Sequence, residues 1–161
     1  VATVSLRKQW PDELQVYIVE HKPVAIWNSD LLLNAKGQVF QADNEALQAY
    51  LPQLYGPEGS ELEAWQAFLQ FKDMLAVNDF NLVSLALSER FAWQLWLEDG
   101  VRLNLGREEK AKRVQRFIDV YPSMQIPEGG VLDTVDLRYD TGLAVSWKFP
   151  AQTEQQNKSE A

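Results

Sequence analysis

Two runs near the C-terminus alternate apolar and polar side chains one for one: Val135, Leu137 and Tyr139 with Asp136, Arg138 and Asp140, then Leu143, Val145 and Trp147 with Ala144, Ser146 and Lys148. A period of two is the pattern of a strand with one buried face. Between the runs stand Asp140, Thr141 and Gly142. These are hairpin residues, because glycine accepts positive φ and aspartate hydrogen-bonds its own turn backbone. The stretch after Lys148 is chiefly polar, so no later run is expected to pair with the outer edge of this last strand. An open edge presents N–H and C=O groups that a strand from another chain can extend. Most terminal hairpins only close a sheet, so the edge reading needs support from elsewhere.

Upstream, the period changes twice. Val4 and Leu6, then Leu14, Val16 and Ile18, mark two strands about a turn at Pro11-Asp12, and Val24 to Trp27 marks a third after the break at Pro23. A turn at Asn34 to Gly37 separates Leu31-Leu-Leu33 from Val39-Phe40. Ser60-Glu-Leu-Glu63 has the form of a capping box, predicting a helix to about Val77 with Leu62, Trp65, Phe68, Leu69 and Leu75 on one stripe. Strands over 82–87 and 91–97, the Asp99-Gly100 turn and a strand through Val101, Leu103 and Leu105 follow. A second helix carries Ala111, Val114, Phe117, Ile118 and Tyr121, has Glu108 and Glu109 at its positive end and stops at Pro122. The predicted class is α+β, with a mainly antiparallel sheet, two main helices on one face and a C-terminal edge strand.

A chain of 161 residues with 46% hydrophobic residues is large enough for a real core. It begins at Val1 in mid-pattern, as expected of a piece of something longer. The net charge of -8 opposes a phosphate backbone, and no Lys/Arg cluster interleaved with aromatics offsets it, so nucleic acid is an unfavourable partner. Cysteine is absent and His21 is the one histidine, which removes Cys-His dyads and the usual zinc patterns but leaves the redox compartment open. Nucleotide loops and nucleophile elbows are missing too, so no cofactor is implied. Asp133, Asp136 and Asp140 invite a glycosidase reading. In one strand, however, Asp136 and Asp140 lie about 13 Å apart, outside either carboxylate geometry. Trp10, Trp27, Trp65, Trp93 and Trp96 are read as packing residues, and Trp147 as a half-exposed aromatic beside the open edge.

Two sets of segments resemble a known family. Arg7-x-x-Trp10-Pro11, Leu14-x-Val16 and Glu20-x-x-Pro23-Val24-Ala25-x-Trp27 resemble the end of the POTRA module of the FtsQ/DivIB family. Leu51-Pro-Gln-Leu-Tyr-Gly-Pro-Glu-Gly-Ser60, Trp93-Gln-Leu95, Leu103-Asn-Leu-Gly-Arg107, Arg116-Phe-Ile-Asp-Val-Tyr-Pro122 and Val135-Asp-Leu-Arg-Tyr-Asp-Thr-Gly142 resemble that family's β domain, in order. The resemblance implies a POTRA remnant over 1–27, a β domain over 28–148 and a disordered tail over 149–161. It implies a periplasmic fragment of a single-pass inner-membrane parent at the division septum, without catalytic activity or cofactor. The implied partners are FtsB and FtsL, with a link to FtsK and to septal peptidoglycan synthesis. FtsB would add a strand to the last strand of the β domain, through the backbone of Thr141, Gly142, Leu143, Ala144, Val145 and Ser146. Tyr139 and Trp147 would be apolar anchors, and Arg138 and Arg90 would pair with partner carboxylates. Leu6, Lys8 and Glu20 match positions tied to recruitment on the POTRA side. Thr141 stands where the family pattern has serine, and Ser146 where it has glycine. The competing readings are a cell-wall glycan-binding module or enzyme, and a POTRA-type chaperone of outer-membrane barrels. A chaperone of that kind repeats the module, and one partial copy is visible here.

Overall fold

The computed structural model describes residues 2–9, 13–20, 22–41 and 50–150, the first two stretches by backbone course alone. Strands β1 (Ala2–Gln9) and β2 (Glu13–Glu20) form an antiparallel pair from Ala2 opposite Glu20 to Gln9 opposite Glu13. The turn at Pro11-Asp12, Trp10, His21 and residues 151–161 lie outside the described residues, as do the side chains of Leu6, Lys8 and Glu20.

Every described strand after this hairpin belongs to one nine-stranded sheet. Its members are β3 (Ala25–Trp27), β4 (Leu31–Leu33), β5 (Val39–Phe40), β6 (Gln53–Tyr55), β7 (Leu82–Leu87), β8 (Trp93–Leu97), β9 (Arg102–Gly106), β10 (Val131–Asp136) and β11 (Ala144–Lys148). Their spatial order is β11-β10-β9-β8-β7-β6-β3-β4-β5, so β11 is one edge. Ala25 to Trp27 joins the large sheet, pairing with β4 and β6. The sheet is mainly antiparallel, as expected: five neighbouring pairs are antiparallel, while β3/β6, β6/β7 and β9/β10 are parallel. Helices α1 (Glu61–Ala76) and α2 (Lys110–Val120) are inserted between sheet strands and supply crossovers that parallel neighbours need.

The helices touch each other, and both pack on the sheet. Phe68, Phe71 and Leu75 of α1, Val114 and Phe117 of α2, and Leu85, Leu95, Leu103 and Val135 of the strands form one buried cluster, so both helices cover the same sheet face. Trp27, Trp65 and Trp93 belong to it, as packing residues; Trp96 is half-buried on the opposite face. Leu62 and Leu69 do not: they are 43% and 42% exposed, and Ala64, Ala67 and Phe71 take the buried face of α1 in their place. The capping box is not formed either. The Ser60 hydroxyl donates to the Pro57 carbonyl, and the Gly59 amide donates to the Glu61 carboxylate. A proline-containing entry loop has consumed the hydroxyl before the helix can use it.

Two turns are as the residue types predict. Gly100 closes the β8–β9 turn, where the Leu97 amide donates to the Val101 carbonyl, and the Asn34 side chain accepts from the Lys36 and Gln38 amides in the β4–β5 turn. After α2, Tyr121–Ser123 tighten into a 3₁₀ turn around Pro122.

Candidate functional site

The edge strand β11 lies antiparallel to β10, with Val145 opposite Val135 and Trp147 opposite Leu132. Leu143, Val145 and Trp147 are half-buried against the core, while Ala144, Ser146 and Lys148 are exposed on the other face. Trp147 thus divides its surface between core and solvent, and truncating it would disturb both. Lys148 is held by Asp133 across the strand pair at 3.0 Å. The ring of half-buried Phe149 lies beside Gly130, so the described chain stays packed just past the strand, where the tail was expected to begin.

The connection between β10 and β11 departs from the predicted tight hairpin. Strand β10 ends at Asp136, and residues 137–143 form a loop. Leu137 still donates its amide to the Asn104 carbonyl, but no backbone-to-backbone hydrogen bond among the described residues closes 138–143. What holds it is Arg116 of α2. Its Nη1 donates to the carbonyls of Tyr139 and Gly142, both at 2.9 Å, and its Nη2 donates to that of Asp140 at 2.8 Å. Gly142 sits at φ +75°, the backbone state that glycine enters without a Cβ penalty. Thr141 and Gly142 are exposed, and Tyr139 is 50% exposed at the tip.

Arg138 is turned back on its own chain. Its Nε and Nη2 donate to the two Asp136 carboxylate oxygens at 2.8 and 2.7 Å, and its backbone amide adds a third bond to Asp136. This fork holds the Asp136 carboxyl below the usual carboxylate range, with the charge of Arg113 adding to the effect. A general acid of a glycosidase needs the opposite shift. The resemblance implies that Arg138 pairs with carboxylates of a partner; here the Nε–Nη2 edge of its guanidinium is occupied by Asp136, which any such carboxylate would have to share or displace.

Arg90 lies exposed in the turn from β7 to β8, at the same end of the sheet as Arg138. Between them is a cleft of about 220 Å³ lined by Ser88, Ala92, Gln94, Asn104, Gly106 and Arg138. Gly106 is required there: at φ +72°, an added Cβ would stand 3.0 Å from Arg113 Nη1 and 3.1 Å from Arg138 Cγ. Arg113 is buried and donates Nη1 to the Leu105 carbonyl. Arg90, Arg107, Arg113, Arg116 and Arg138 therefore gather at one sheet end in a chain of net charge -8. Sequence reading missed Arg113 and Arg116, because both occupy ordinary polar slots of α2 and nothing local shows what they reach.

Among the described residues, no helix is long and apolar enough to cross a membrane, and no group of three or more His, Cys, Asp or Glu is placed to hold a metal ion. The family model described as "Cell division protein FtsQ/DivIB, C-terminal" matches residues 25–138. That match starts where the nine-stranded sheet starts and ends at Arg138, short of β11. Relatives carry the likeness further. The cell division protein FtsQ of Escherichia coli (strain K12) is 42% identical over 168 aligned residues that take in all of this chain and 61% of the relative. The FtsQ of Shewanella oneidensis is 44% identical, covering 91% of this chain and 56% of the relative. The FtsQ of Aliivibrio fischeri is 41% identical, covering 92% and 57%. The chain spans about three fifths of the length of the curated relatives it matches. With a family model over most of the sheet and identity above 40% through the edge strand, this chain belongs to the FtsQ/DivIB family of cell division proteins.

Proposed function

We propose that this chain is a non-catalytic interaction module of the bacterial division machinery, which takes a strand from FtsB on the open edge of β11, with FtsL in the same assembly. The observation that carries the reading is the position of β11 at the end of the sheet order, paired on one side only among the described residues. Alternate residues of such a strand aim their N–H and C=O groups outward, which gives affinity through backbone bonds and leaves specificity to flanking side chains. Tyr139 at the loop tip and the exposed part of Trp147 flank the strand as apolar anchors. Arg90 offers an exposed guanidinium at the loop end to an acidic partner segment, and Arg138 joins it where the partner displaces Asp136.

In this reading the parent is anchored by a single helix in the inner membrane, the fragment faces the periplasm at the septum, and residues 1–27 carry the end of a POTRA module. Leu6, Lys8 and Glu20 lie on β1 and β2, which form a two-stranded sheet separate from that of β11, and serve a separate recruitment contact, with FtsK among its candidates.

Calorimetric titration with the periplasmic C-terminal segment of FtsB tests this. Tyr139→Ala is expected to weaken binding by about 2 kcal/mol, the size of an interface hot spot. Because Tyr139 is half exposed, the variant should unfold at the wild-type midpoint, which separates lost contact from lost fold. Unchanged affinity in the folded variant removes Tyr139 from the interface.

A further inference from the structure

The loop that presents Tyr139 has no hydrogen-bonding pattern of its own. Six consecutive residues, 138–143, contribute no backbone-to-backbone bond among the described residues, one of them is glycine, and the tip is exposed. A segment like this is expected to sample many conformations, at a cost of about 1–2 kcal/mol per residue when one is selected. Yet three of its carbonyls converge on one guanidinium, that of Arg116, which stands on the rigid helix α2. Arg116 is half-buried and sits one turn before Val120 on α2.

We infer that Arg116 is a positioning residue for partner binding: its guanidinium holds the carbonyls of Tyr139, Asp140 and Gly142, so that the Tyr139 ring and the entry to β11 are set before a partner strand arrives. This rests on the edge-strand reading above and deepens it. The fork geometry is essential. A guanidinium presents several N–H groups in one plane and serves three carbonyls at once, whereas a lysine ammonium keeps the charge but offers a mobile point donor on a flexible stem. Binding to a loop that is competent only part of the time weakens in proportion to that fraction. The loss falls on association, because the partner must wait for the competent conformer.

The test uses this chain with Arg116→Lys and Arg116→Gln. Backbone order parameters from nitrogen-15 relaxation at 139–142 are expected to fall below about 0.6 in both variants, while those of Leu95 and Leu103 in the core stay at about 0.85. Binding of the FtsB segment is expected to weaken about fivefold, chiefly through the association rate, and Arg116→Lys is expected to be as weak as Arg116→Gln. In a Tyr139→Ala background, Arg116→Lys should add less than about a twofold effect, since the ring to be positioned is gone. A merely structural arginine would lower the unfolding midpoint and leave the loop order parameters and this coupling unmoved. Unchanged order parameters at 139–142 overturn the clamp. A more mobile loop with wild-type binding overturns its role in recognition. Failure of the wild-type chain to bind strikes the edge-strand reading instead, and the relaxation data identify which of the two has failed.

Discussion

Proline at one of the adjacent positions Val145 and Ser146 is expected to leave the fold intact and to weaken FtsB-segment binding at least about tenfold, while proline at the other is expected to break the edge of the sheet at about 3 kcal/mol or more. The asymmetry follows from strand geometry. Neighbouring residues in β11 send their amides to opposite sides, one toward β10 and one outward. Proline removes the amide and adds ring atoms where a partner backbone must approach. Circular dichroism and a thermal melt identify the folded variant, and its outward amide is the one removed. Ser146→Pro spares the core by side chain, because Ser146 is on the exposed face; Val145→Pro also gives up contact with the core. A folded proline variant that binds like the wild type contradicts strand addition at β11. This comparison is cleaner than Trp147→Ala, because Trp147 also packs on the core.

The second large effect concerns the platform beneath the site. Phe117→Ala is expected to lower unfolding stability by about 3–5 kcal/mol in a urea titration, as the loss of a fully buried aromatic ring does. Phe117 is fully buried, with its ring centroid 5.1 Å from Phe80 and 5.7 Å from Tyr121, and so ties α2 to the chain that leaves α1. It also directly follows Arg116 in α2, so the same substitution should loosen the 137–143 loop. The matched control is Leu69→Ala. Periodicity places Leu69 on the apolar stripe of α1, but its exposure predicts a change within about 0.5 kcal/mol. Equal effects for the two would mean that the buried face of α1 differs from the one described.

Those two residues show where sequence reading succeeds and where it stops. Phe117 falls on a strict helical stripe and is buried, as periodicity predicts. Leu69 satisfies the same rule and is exposed, because the packing partner, and not the helix, decides which arc of a wide apolar surface is covered. A six-residue apolar run such as β7 is legible; the three-residue β6 is not, since a short run of Gln53, Leu54 and Tyr55 carries no period to detect. Missing β6 hid two of the three parallel pairings.

At the site, the edge position of β11 was readable from alternation, and the anchor role proposed for Tyr139 comes from family likeness. The end of β10 was not. Alternation continues through Leu137 and Tyr139, but Arg138 folds back onto Asp136 and the chain leaves the strand. The clamp was invisible for a different reason: Arg116 lies 23 residues before the first carbonyl that it holds, and only the docking of α2 beside the loop brings them together.

The most direct measurement of strand addition is residue-resolved amide hydrogen exchange of this chain with and without saturating FtsB segment. Strand pairing predicts new protection at alternate amides of 144–148, the outward set, with the inward set already protected in the free chain. Protection spread over the helices or confined to the opposite edge at β5, with the β11 amides unchanged, would contradict β11 as the site where this protein binds.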